Sequence, residues 1–255
     1  MSLEKPTIVI LDMDGTAVRH INPWVLPVLE RLDDAYYMCA KFFGWFFRRR
    51  AKDPLLPPPE HIPPRRKPRL LVHRALHKVR RKEVDQIVEP CPGIYDVLDL
   101  LRAHDIPMAM ISNGLGKGYG HDIMTKFDLE DYFGATVFRE EVSKSKPSPE
   151  ALLLALKRLN ITPGEDDVIW YIGDRHKDVV AAQMLSDNIP AKAEPIAYGM
   201  NAAVAIIEKG FSPEHIIMSY YDMEARLEKM LGKAPDPTPE SKKKVEPEKS
   251  GELAA

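Results

Sequence analysis

The stretch Ile8-Val9-Ile10-Leu11-Asp12-Met13-Asp14-Gly15-Thr16-Ala17 constrains this chain more than any other. Four aliphatic residues in a row, two of them Ile and one Val, predict a strand buried on both faces. The run stops at a carboxylate, with a second carboxylate two positions on and a Gly-Thr turn after it. Ligands of an open parallel sheet sit just beyond the carboxyl ends of the strands. Two acids there are costly to desolvate unless something positive lies between them. A divalent cation held by oxygen ligands, with one acid free for covalent chemistry, accounts for the pair. The plainer alternative is an acidic turn, for which Asp and Gly are ordinary residues. This stretch alone does not choose between the two.

The rest of the chain supplies the sheet. Ile94–Ala103 has helical spacing, and Met108-Ala109-Met110-Ile111 reads as a short buried strand. Asp122–Phe127 predicts a helix, Thr136–Phe138 a strand, and Pro149–Leu159 an amphipathic helix opened by proline. Val168–Ile172 is the next strand, Lys177–Asp187 a helix, and Ile196–Tyr198 a last strand, with helices over Ala202–Lys209 and Tyr221–Leu231. This alternation predicts an α/β fold, a doubly wound, Rossmann-like parallel sheet with helices on both faces. Pro195 puts the last strand at an edge. At 255 residues and 44% hydrophobic, the chain can bury a sizeable core.

Residues 19–89 break the alternation and predict an inserted, mostly helical unit. Pro23 to Phe47 has a helical look and carries Trp24, Tyr36, Tyr37, Phe42, Phe43, Trp45, Phe46 and Phe47. Arg48-Arg49-Arg50 and a proline-rich spacer follow, then a second helix over Arg69–Val88. The segment holds 16 Lys and Arg against 8 Asp and Glu, hence roughly +8. The expected division is a core of residues 1–18 and 90–232, the insert 19–89, and a polar, disordered tail 233–255.

Other signals are weaker. Gly114, Gly116, Gly118 and Gly120 fit neither GxGxxG nor the P-loop and predict a flexible connection. His73 and His77 have i,i+4 spacing, but no third metal ligand accompanies them. Cys39 and Cys91 form no CxxC and read as packing residues in a reducing compartment. The net charge of −2 argues against a nucleic-acid binder. With no signal-peptide pattern and no apolar run of spanning length, a cytoplasmic protein is expected.

Three strand ends carry polar punctuation: Asp12-Met13-Asp14-Gly15-Thr16, Ser112-Asn113-Gly114, and Gly173-Asp174-Arg175-His176-Lys177-Asp178, with Lys144-Ser145-Lys146-Pro147-Ser148-Pro149 between the last two. In these motifs and their order the sequence resembles the haloacid dehalogenase-like (HAD) superfamily of hydrolases, in its phosphoglycolate phosphatase-like branch. The resemblance covers roughly two thirds of the chain. It implies a HAD-like core with an inserted helical cap, and a phosphatase that works through an aspartyl-phosphate.

On that resemblance Asp12 is the nucleophile, Asp14 the general acid and base, and Lys146 the cation that neutralises developing charge. Thr16 would steady Asp14 through a side-chain hydrogen bond, and Ser112 and the Asn113 amide would hold phosphate oxygens. Mg²⁺ would be bound by Asp12, the Asp14 main-chain carbonyl and Asp174, with Asp178 anchoring the metal shell. Relatives that cleave carbon–halogen or carbon–phosphorus bonds lack an acid at the Asp14 position. Two positions depart from the family pattern: Ser145 stands where Gly is usual, beside a second lysine, Lys144, and Arg175-His176 replace a small hydroxyl residue. Arg175 and His176 are both bulky and able to approach an anionic substrate, which the resemblance implies is a small phosphorylated metabolite. The alternatives are a phosphomutase of the same superfamily and a binding or membrane-peripheral protein that keeps the fold. The basic aromatic insert fits either a substrate lid or a surface lying on an anionic membrane or acidic partner.

Overall fold

The computed structural model describes residues 3–21 and 84–233. The predicted cap, apart from its two ends, and all but the first residue of the predicted tail lie outside them, as do His73, His77 and Cys39.

Six parallel strands form one sheet: β1 (Ile8–Asp12), β4 (Met108–Ile111), β5 (Ala135–Val137), β6 (Val168–Gly173), β7 (Lys192–Tyr198) and β8 (Ile216–Ile217). Their order is β5-β4-β1-β6-β7-β8. From β1 the chain winds outward through β4 and β5, then crosses back to run β6, β7, β8 on the other side. The switch point therefore lies between β1 and β6, whose ladder pairs Leu11 with Ile172.

Alternation along β1 explains the layers. Val9 and Leu11 enter a core with Val97, Leu98 and Leu101 of α1 (Ile94–Ala103) and with Tyr220, Met223 and Leu227 of the last helix, α6 (Tyr220–Leu231). Ile8 and Ile10 enter a second core with Leu152 and Leu156 of α3 (Glu150–Arg158) and Ala181 and Leu185 of α4 (His176–Ser186). The four apolar residues of β1 have both faces of the strand covered, and Asp12 at its end is buried with them. Two further helices, α2 (His121–Lys126) and α5 (Met200–Glu208), complete the described set. No described helix is long and apolar enough to cross a membrane.

Three expectations change. Arg69–Val88 does not stay helical to its end: Val84–Gln86 is a short 3-10 turn, and β3 (Val88–Pro90) pairs antiparallel with β2 (Val18–His20). Pro195 is not on an edge strand, because β8 follows β7 in the sheet. It is tolerated because β8 reaches only Ala197 and Tyr198, leaving Pro195 with the single ladder partner Tyr171. The glycine-rich connection is a held turn, in which the Glu140 carboxylate accepts the Gly116 and Lys117 amides and Phe138 packs on Gly116 and Gly120.

Candidate active site

The carboxyl ends of β1 and β6 deliver Asp12 and Asp174 to the same place, and the first turns of α4 add Asp178. Carboxylate oxygens of Asp12, Asp174 and Asp178 all lie within 4.8 Å of one another. Two glycines make this approach possible. Gly15 has φ +87°, and a Cβ there would sit 2.3 Å from Asp174 Oδ2. At Gly173 a Cβ would meet the Asp178 side chain at 2.4 Å.

Among the described residues Lys146 is the buried cation of the cluster, with Arg175 Nε at its edge, 3.8 Å from Asp174 Oδ1. Lys146, buried, places Nζ 2.5 Å from Asp12 Oδ1 and 2.8 Å from Asp178 Oδ1. Burial disfavours its charge, but Asp12 and Asp178 more than compensate and raise its pKa. The Tyr171 hydroxyl, 3.1 Å from Nζ, donates to Asp178 Oδ1 at 2.8 Å. Asp178 Oδ2 accepts the Arg175 amide at 3.0 Å, which fixes it at the start of α4. Lys144 is exposed, and its backbone amide bonds Glu150.

The charges do not balance. Burial pushes the Asp12 carboxyl well up; Lys146 pulls it down, while Asp178 and Asp174 add to the rise. Asp174 is pushed up to about 6, chiefly by burial and with Asp178 adding to it, against Arg175. Its Oδ1 is buried with no hydrogen-bond partner among the described residues, and the Arg175 Nε at 3.8 Å is too distant to count as one. The three carboxylates, one of them with an orphaned oxygen, make an all-oxygen donor set that fits a hard divalent cation.

Asp14 stands apart from this cluster. Its Oδ1 accepts the Tyr119 hydroxyl at 2.6 Å and its Oδ2 the Ser112 hydroxyl at 3.0 Å, with His20 Nε2 3.4 Å from Oδ1. Burial works to raise its pKa, yet the hydrogen bonds from His20 and Tyr119, the His20 charge and the Ser112 bond bring it below the usual carboxylate value. The side-chain cluster therefore holds Asp12, Asp174 and Asp178, and the Asp14 carboxylate is not part of it.

The Thr16 expectation is corrected. Its hydroxyl is buried and makes no hydrogen bond to Asp14 or any other described residue; Ser112 and Tyr119 take that place. Ser112 Oγ also accepts the Gly114 amide at 2.8 Å, and Asn113 Oδ1 accepts the Lys146 amide at 3.3 Å. These bonds bring the second motif against the first and against the lysine. Arg175 is half-buried at the start of α4, beside Asp174. Sequence reasoning missed three polar groups here: Tyr171, Tyr119 and His20. Tyr171 is concealed inside a buried apolar run, and the other two lie in segments read as a turn and as the insert's entrance.

The chain is 24% identical over 148 residues to the phosphorylated carbohydrates phosphatase of Thermotoga maritima, covering 56% of this chain and 65% of that protein. It is 26% identical over 132 residues to the phosphoglycolate phosphatase of Salmonella paratyphi A, covering 52% of this chain and 48% of that protein. The chain thus spans about half to two thirds of the length of these curated relatives. A solved HAD-superfamily hydrolase from Ehrlichia chaffeensis superposes with a TM-score of 0.53 at 20% identity, over 90% of this chain and 99% of that one, and shares the fold. The model of the haloacid dehalogenase-like hydrolases matches residues 55–187, just over half of the sequence, and the chain belongs to that family.

Proposed function

We propose that the chain is a Mg²⁺-dependent phosphomonoesterase acting on a small phosphorylated metabolite. The observation that carries this reading is Lys146 bridging Asp12 and Asp178 where β1 and β6 end, with Asp174 in the same cluster. Asp12 Oδ attacks phosphorus as the bond to the leaving oxygen breaks, giving an aspartyl-phosphate. Asp14 gives a proton to the leaving oxygen, then takes one from the water that attacks the intermediate, releasing inorganic phosphate and restoring Asp12. Lys146 holds Asp12 in place and offsets the charge that accumulates on the phosphoryl oxygens. The Asn113 amide orients those oxygens, Ser112, whose one proton goes to Asp14 Oδ2, holds the second motif beside them, and Arg175 faces the anionic substrate from the start of α4. Asp12, Asp174, Asp178 and the Asp14 carbonyl would hold Mg²⁺, which when bound shields nucleophile and phosphate from mutual repulsion.

The named activities of the relatives, on phosphoglycolate and on phosphorylated carbohydrates, make small alcohol phosphates the substrate class to try first. A panel of such phosphomonoesters, assayed with Mg²⁺ and with EDTA, tests the reading. Release of inorganic phosphate that needs Mg²⁺ and is lost in Asp12→Asn supports it. Transfer between two positions of one sugar without free phosphate would make the chain a phosphomutase instead, and no turnover of any ester would overturn both.

A further inference from the structure

We propose that Tyr119 and His20 are positioning residues for Asp14, fixing the direction from which its carboxyl exchanges a proton with the leaving oxygen. The inference rests on the phosphatase reading above, in which Asp14 is the acid and base. Tyr119 is buried, and its only proton goes to Asp14 Oδ1 at 2.6 Å, since a carboxylate can only accept. His20 Nε2 lies 3.0 Å from the same phenol oxygen, so that nitrogen carries the hydrogen and donates. The two rings lie within 14° of parallel. At the other end of the carboxyl, Ser112 donates to Oδ2, so turning the group about its last bond breaks a hydrogen bond at each oxygen. Each oxygen of a carboxylate has two acceptor directions, which leaves Asp14 free capacity for a proton while it is held.

The holding groups come from separate parts of the chain. His20 is the last residue of β2, where the insert begins, and Tyr119 stands in the glycine-rich turn. That turn is fixed by Glu140 on the Gly116 and Lys117 amides, which keeps the phenol from following Asp14 if the carboxyl swings. Tyr119 therefore acts on Asp14 at 2.6 Å, and His20 acts through Tyr119 as well as on Oδ1 itself at 3.4 Å.

The test compares kcat/KM for an alkyl phosphate with that for an aryl phosphate. An alkoxide needs a proton as it leaves, whereas a nitrophenolate does not, and kcat/KM reads the steps up to transfer onto Asp12. Asp14→Asn is the benchmark and should lower the alkyl-to-aryl ratio about a hundredfold. Tyr119→Phe should lower the same ratio about tenfold. His20→Ala should lower it less, His20→Gln should recover most of the loss, and the double variant should lose less than the two single losses multiplied together. Melting curves check that each variant is folded. If Asp14→Asn collapses the ratio while Tyr119→Phe lowers both substrates equally or neither, the positioning role is overturned and the phosphatase reading stands. If Asp14→Asn leaves the ratio unchanged, the acid role of Asp14 fails and the proposal falls with it.

Discussion

Lys146 and Asp12 are 134 positions apart in the chain and 2.5 Å apart in space, Nζ to Oδ1, with both side chains sealed from solvent. Removing one partner of such a pair leaves an uncompensated buried charge. Lys146→Ala should therefore lower kcat at least a hundredfold and lower Tm as well. Lys144→Ala, at an exposed position, should stay within about twofold of the parent. Steady-state kinetics and melting curves on both variants check the pair, and a larger loss at Lys144 would refute the placement of the motif.

Asp12→Asn keeps the size of the side chain and removes the nucleophile. Turnover should fall by several orders of magnitude, with the circular dichroism spectrum unchanged. In the parent, a fluoride phosphate mimic of beryllium or aluminium should seat on Asp12. Phosphate release near the parent rate from Asp12→Asn would exclude the aspartyl-phosphate route.

Mg²⁺ added to the apoprotein should raise Tm, because it binds the folded cluster and not the unfolded chain. At a hundred times Kd that linkage is worth about 2.7 kcal/mol, or several degrees for a domain of this size. Asp174→Asn removes the carboxylate whose Oδ1 has no hydrogen-bond partner among the described residues, and should remove most of the shift. Differential scanning calorimetry with and without the ion reads the effect directly.

Gly15→Ala should be far more damaging than its one added carbon suggests. The backbone there has φ +87°, and the new methyl would contact Asp174 Oδ2 at 2.3 Å. Either the turn reshapes or Asp174 withdraws. The expected outcome is a loss of Mg²⁺-induced stabilisation larger than the loss in metal-free Tm, measured in the same calorimetric series.

Far from the site, buried Glu194 on β7 receives His215 Nε2 and Lys192 Nζ, each at 2.5 Å. Burial alone would raise its pKa, but these two partners bring it below the usual 4.5. A carboxylate depressed in this way contributes stability that is complete above its unfolded pKa and fades as pH falls through the folded value. The Tm gap between parent and Glu194→Gln should be widest above about pH 5 and close as pH drops below about 4. A gap that widens on acidification would reverse the assignment.

The part of the site that the sequence discloses is the part made by strand ends. A buried aliphatic run that stops at an acid is legible because both signals, the apolar period and the abrupt charge, lie within a few residues. Lys146 could be chosen over Lys144 on its Pro-x-Pro context, which leads into α3. Tyr171 was not legible, since an aromatic among Val168, Ile169, Trp170 and Ile172 satisfies the pattern of a core strand whether or not its hydroxyl is used. Thr16 was misread for the opposite reason: a hydroxyl two residues from Asp14 is near in sequence, while Ser112 and Tyr119 reach Asp14 only through tertiary packing. Pro195 looked like an edge because the local rule is right and the partner strand is merely short.

The β2–β3 ribbon has a consequence for how such a chain can change. Val18 pairs with Pro90 and His20 with Val88, and the Ile21 amide reaches the Ile87 carbonyl at 2.9 Å, so the segment between them leaves and re-enters the core at one seam. For a loop whose ends are pinned together, each doubling of length costs only about 0.6 kcal/mol. Insertions, deletions or wholesale replacement between Ile21 and Ile87 can therefore accumulate without shifting the register of a single strand in the main sheet. A lineage could trade one module for another at the seam, while the aspartates at the ends of β1 and β6 are inherited intact.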